Sequence, residues 1–177
     1  MNKIKAFLTS AFCLLIAGCE NNTIDYYADK KEKVDLKTFL NGPVEGWGAV
    51  FDYQGRQTRS FTVKMKGSWT NNTGVLEEWF EFDDGEKSER IWDIHFAEGQ
   101  MFKARAKDVI GDADGEQSGN AINMHYVLQV PYNGKTIDLN MNDWMYKIAD
   151  DIILNRTTMK KFGFKVGEIV LFMKKQP

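Results

Sequence analysis

Chemistry has few places to reside in this 177-residue chain, which holds two histidines and two cysteines. His95 stands between Ile94 and Phe96, and His125 between Met124 and Tyr126. In a two-residue repeat each falls on the face opposite its apolar neighbours. No His-x-x-x-His spacing occurs, and Cys13 lies in an apolar leader. A metal centre, a cysteine nucleophile or any other cofactor is therefore not expected. Ser118 in "GEQSGN" does not fit Gly-x-Ser-x-Gly, the turn that exposes a hydrolase serine. "DADGE", with Asp112 and Asp114, lacks the ligand spacing and closing Glu of a calcium loop. The whole stretch "GDADGEQSGN" reads as a polar loop.

More informative are charges in step with apolar residues. Glu78 shares parity with Leu76 and Phe80, Arg90 with Trp92 and Ile94, and Arg156 with Ile152 and Leu154. A charge facing an apolar interior must be paired or hold something. One reading centres a hairpin on "DDGE", placing Arg90 near Phe80 and diagonal to Glu78 as a structural bridge. The other uses Arg90 or Arg156, with Tyr126, to grip a carboxylate or phosphate through the paired donors of guanidinium. Trp69 and Trp92 would then enclose an acyl chain.

The elements that must position these residues are strands. "KKEKVDLKTFLNG" gathers Val34, Leu36, Phe39 and Leu40 ahead of Gly42 and Pro43, predicting a short helix or turn that caps the domain. Beyond it the period is two. Phe61, Val63 and Met65 alternate with Thr62, Lys64 and Lys66, and Ile122, Met124, Tyr126 and Leu128 repeat the pattern. Eight or nine such segments are joined mostly by short turns, with no helix long enough for a parallel crossover. The expected fold is all-β: an up-and-down antiparallel β-barrel of about eight strands, which closes to remove its edges and can hold one small ligand. A two-sheet sandwich is the alternative.

The first residues supply an address. Lys3 and Lys5 precede an apolar run over residues 6–18, short of the roughly 20 residues a spanning helix needs. A basic start, a short apolar run and small residues before a cut describe a secretory signal. "LIAGC" resembles the lipobox of bacterial lipoproteins, in which the cysteine takes a diacylglycerol and the signal is cut just before it. That resemblance implies a signal peptide over 1–18, cleavage between Gly18 and Cys19, lipid on Cys19, a tether over 19–32 and a barrel domain over 33–177. Both cysteines are then accounted for, and no disulfide is left to form. Glu20, where an aspartate would retain an enteric-type lipoprotein at the inner membrane, implies the outer membrane and a domain facing the periplasm, with the inner membrane as the alternative. A net charge of −2 carries no nucleic-acid footprint.

"EGWGAVFDYQGR" is similar to the Gly-x-Trp opening of lipocalins, where the Trp plugs the closed end and a basic residue of the last strand covers it; Trp47 and Lys174 would be that pair. "GWGAVFD", "GSW", "LEEWFEFDDGE", "SGNA", "NDWMY" and "NRTTMKKFGFKVGE" together resemble an uncharacterised, lipocalin-like family of Gram-negative bacterial lipoproteins. The resemblance implies a lipid-anchored protein that binds or hands over an apolar ligand, such as a fatty acid or phospholipid derivative. A structural or assembly lipoprotein with a filled barrel is the alternative. A lipid-modifying enzyme comes third, because no nucleophile, metal or acid–base pair stands out.

Overall fold

The structure, a computed structural model, describes residues 22–97 and 100–177. The expected signal segment, Gly18 and Cys19 lie outside the described residues. A 3-10 turn over Ile24–Tyr27 leads to helix α1, Leu36–Leu40, and then only strands follow. They are β1 Gly42–Asp52, β2 Gln57–Thr70, β3 Thr73–Phe82, β4 Lys87–Phe96, β5 Met101–Arg105, β6 Val109–Ser118, β7 Ala121–Tyr132, β8 Lys135–Ala149, β9 Ile152–Lys161 and β10 Phe164–Lys175. Each pairs antiparallel with its neighbour in sequence, and β1 pairs with β10 from Val44↔Lys175 to Asp52↔Gly167. The sheet thus closes into an up-and-down barrel of ten strands rather than about eight.

Period-two alternation drives the closure. Phe61, Val63 and Met65 of β2, Trp92, Ile94 and Phe96 of β4, and Ile122, Met124 and Leu128 of β7 are buried in the interior. Burying each such side chain contributes roughly 1.5–3 kcal/mol. The exterior of β2–β5 carries Lys64, Lys66, Asp93, Lys103 and Arg105 in solvent. A bilayer-spanning barrel would turn an apolar band outward at those positions. Among the described residues, no helix is long and apolar enough to cross a membrane.

One end of the barrel is stoppered. Asp35 caps α1 by accepting from the Thr38 amide at 3.0 Å, and Leu36, Phe39 and Leu40 of the helix are buried with Val34. The helix can sit there because β2 has Gly67 beneath it: a Cβ at that position would lie 2.1 Å from the Leu40 carbonyl oxygen. Lys175 completes the stopper. Its ammonium donates to the carbonyl oxygens of Thr38 at 3.1 Å, Phe39 at 3.0 Å and Asn41, satisfying the orphaned end of α1.

This arrangement corrects the Gly-x-Trp expectation. Trp47 points out of the barrel, 47% exposed, with its ring 6.3 Å from Phe172 on the outer face. Lys174 is likewise outside, opposite Glu45. The inward positions of β1 are Val44, Gly46, Gly48 and Val50, and α1 with Lys175 performs the closure assigned to Trp47 and Lys174.

The stretch "GDADGEQSGN" is also not a loop. Most of it is β6, whose inward residues Ala113, Gly115 and Gln117 are small or polar and give no hydrophobic signal. Their size is dictated by Phe102 of β5, whose ring a Cβ on Gly115 would meet at 2.1 Å. Gln117 is kept busy: its carbonyl accepts from the Leu36 amide at 3.0 Å and its amide donates to Gln100 at 2.7 Å. On the outer face Asp114 pairs with Lys103 and Asp112 with Arg105, so neither carboxylate is held for calcium.

Candidate functional site

Above the α1 stopper the barrel holds a partly open cavity of about 130 Å³. Leu36 and Leu40 of α1 line one end, and Phe61 and Phe80 line it on β2 and β3. Those two rings pack with Phe82, with centroids 5.5–6.2 Å apart. Between them Trp92 meets Tyr126 edge to face at 5.4 Å. Into this apolar space project Glu78, Arg90, Tyr126, Asp143, Asn155 and Thr157.

Glu78 and Arg90 stand directly opposite one another on β3 and β4. The observed register differs from the expected one by two residues, which keeps both charges on the same face: Phe80 faces Ser88, and Arg90 is directly opposite Glu78 rather than diagonal to it. The direct bridge is long: Arg90 Nη1 lies 3.9 Å from Glu78 Oε2. Arg90 is held instead by Asp108, in the turn between β5 and β6. Its Nε donates to both carboxylate oxygens at 3.1 and 3.0 Å, and Nη2 to Oδ2 at 2.8 Å. Glu78 Oε2 accepts from the Trp92 indole N–H at 3.1 Å. Burial pushes the Glu78 carboxyl up to about 7, against the pull of Arg90 and of the Trp92 hydrogen bond. Burial would lower the Arg90 value, but the Asp108 hydrogen bonds and the Glu78 charge raise it and keep the guanidinium charged.

Across the cavity Asp143 of β8 is 8% exposed. Its Oδ1 accepts from Asn155 Nδ2 and from Thr157 Oγ1 at 2.8 Å, both on β9. Burial again raises its carboxyl value, opposed by those two hydrogen bonds. Tyr126 has its hydroxyl value raised by burial and by Asp143, and the hydroxyl has no hydrogen-bond partner among the described residues.

The structure therefore brings together Glu78, Arg90, Trp92 and Tyr126, and it separates Arg156 and Trp69 from them. Arg156 lies on the outer face, 61% exposed and paired with Glu168. The inward residues of β9 are Ile153, Asn155 and Thr157, so "IILNRTTM" reads inverted, with Ile152 and Leu154 outside. Leu154 is opposite both Tyr146 and Phe172, and Phe172 is opposite Trp47, so apolar residues form an external row across four strands. Trp69 is on the inner face but beyond the cavity, packed on Gly74 and 5.9 Å from Phe96. Asp108, Asp143, Asn155 and Thr157 went unnoticed in the sequence. Asp143 is in step with Met141 and Met145, a parity that could have found it.

The class is a closed antiparallel barrel with a small, largely apolar cavity in which a few polar groups converge. Residues 13–175 match the family described as protein of unknown function (DUF3833), and the chain belongs to that family. No curated protein matches it. Among solved structures it is similar to the S-type phycobiliprotein lyase CPES from Guillardia theta. The TM-score is 0.56 at 7% identity, covering 88% of this chain and 98% of the lyase chain. It is more distantly similar to EF1p2_mFAP2b bound to DFHBI, with a TM-score of 0.44 at 8% identity over 78% of this chain and 95% of the other. The lyase likeness shows a shared barrel fold.

Proposed function

We propose that this is a lipid-anchored binding protein, attached through Cys19 to the outer membrane and facing the periplasm, which holds or hands over a small apolar ligand. The cavity beside Trp92 and Tyr126 carries the reading. An apolar pocket with a few convergent polar groups and displaced pKa values is what a binding site requires. Its size limits the occupant. About 130 Å³ equals the liquid share of roughly four waters, close to the volume that admits a benzene ring in a dry engineered cavity. A ring or the end of an acyl chain fits within it. The same small volume favours the second reading, a scaffold barrel that binds through its outer face.

The anchor is supported by "LIAGC". The Asn22 side chain donates to the Tyr146 hydroxyl at 3.2 Å and accepts from Tyr27, whose ring lies 5.6 Å from Trp144. Three residues from Cys19 to Asn22 reach at most about 10 Å, so a lipid on Cys19 holds the barrel against its membrane. Native mass spectrometry of the protein purified from its own membrane tests both halves. The expected spectrum shows an acylated Cys19 terminus and a dissociable small ligand. An unmodified terminus would remove the anchor, and an empty barrel would leave the scaffold reading ahead.

A further inference from the structure

The polar groups around the cavity do not suit an acid. The only guanidinium facing it among the described residues, Arg90, makes three hydrogen-bond contacts to Asp108. Two carboxyls, Glu78 and Asp143, line the same space. Each uses one oxygen internally, toward Trp92 in one case and toward Asn155 and Thr157 in the other. Glu78 Oε1 and Asp143 Oδ2 have no hydrogen-bond partner among the described residues. The unengaged polar atoms at the cavity are thus acceptors, together with the Tyr126 hydroxyl, and each is open to a donor brought by a ligand.

We propose that the cavity selects a small apolar ligand carrying a cationic, hydrogen-bond-donating head, an amine in the simplest case, and rejects the carboxylate of an acid of equal size. The inference rests on the ligand-binding reading and fixes the sign of its head group. A carboxylate entering here would meet two carboxyls and a guanidinium already neutralised. An ammonium would meet two acceptors and pull both toward ionisation, while its apolar body lay against Trp92, Met124 and Leu171.

The groups facing Glu78 set the pH dependence. They are Arg90 of β4, Asp108 in the β5–β6 turn, Tyr126 of β7 and Asp143 of β8, with His125 acting on Asp143 from outside. Since Glu78 loses its proton near pH 7, amine affinity climbs as pH rises through that value.

The test uses three probes matched to the cavity volume: benzylamine, benzyl alcohol and benzoate. They are titrated against the full chain in lipid nanodiscs, with empty nanodiscs as the blank. At pH 8 benzylamine should bind at least tenfold more tightly than benzoate. Glu78→Gln should erase most of that advantage, weakening benzylamine far more than benzyl alcohol. Asp108→Asn, which releases Arg90, should strengthen benzoate at least tenfold. Benzoate binding as well as benzylamine to the unaltered protein would overturn the inference and leave the binding reading standing. Failure of all three probes, benzyl alcohol included, would overturn both.

Discussion

Glu78 is the residue on which folding and function pull apart. Its carboxyl is 13% exposed, and burial lifts its value from 4.5 to about 7. The folded protein therefore keeps a proton that the unfolded chain releases between those pH values. The stability Glu78 contributes is fully present below about pH 4.5 and is lost as pH rises through 7, by an amount on the order of 3 kcal/mol. Glu78→Gln should flatten the fall in urea-unfolding stability between pH 5 and 8 and make the protein more stable at pH 8. An unchanged slope would mean that Asp143, whose value is raised by the same burial, carries the titration instead. Arg90 works in the opposite sense. Arg90→Ala would leave Glu78 buried without its cation and should cost about 3 kcal/mol, read in the same unfolding curves. Arg90 and Glu78 were legible as residues in step with apolar neighbours, and both do face inward. Asp108 was not legible, because nothing in a turn's sequence states which strand its side chain will reach.

At the scale of elements, the stopper is the part most open to a single change. On Gly67 even one methyl group would run into the Leu40 backbone, which has no flexible side chain to move aside. Gly67→Ala should lift α1 from the barrel end and lower stability by about 2 kcal/mol. Hydrogen exchange should then quicken at the Phe39 amide, which donates to Asp35 at 2.9 Å, while β7 amides stay protected. Equal loss of protection everywhere would show that α1 is part of one cooperative core. The stopper itself was readable from the clustering of Val34, Leu36, Phe39 and Leu40. One strand, β6, was not readable, and another, β9, was readable as a strand but with its faces inverted. β6 hides because Phe102 fills its share of the interior, leaving Ala113 and Gly115 to pack beneath it. β9 misleads because Asn155 and Thr157 face inward as hydrogen-bond donors to Asp143. Its outward Leu154 instead sits between Tyr146 and Phe172 in the external row. In both strands a side-chain partner from another strand overrides the simple rule of apolar inside and polar outside.

For the whole molecule, closure through β1 and β10 leaves no free sheet edge among the described residues. The ten-strand count follows from treating "VIGDADGEQS" as a strand, and the all-β, antiparallel, up-and-down plan was legible from turn spacing and alternation. The anchor is tested at this scale. Cys19→Ser should block lipidation and leave uncut precursor; a variant processed and membrane-bound like the unaltered protein would end the lipoprotein reading. The central claim is that the barrel admits a small apolar ligand beside Trp92. The five tryptophans supply their own controls, since Trp47 and Trp79 lie exposed outside, Trp144 is buried against Tyr27, and Trp69 is inside but away from the cavity. The most direct measurement is a benzyl alcohol titration followed by the five indole N–H signals in proton–nitrogen correlation spectra, with Trp92 assigned through Trp92→Phe. A saturable shift of the Trp92 signal, with Trp47 and Trp79 unmoved, is the predicted result. A stationary Trp92 signal, or five signals drifting together without saturation, would contradict a binding cavity.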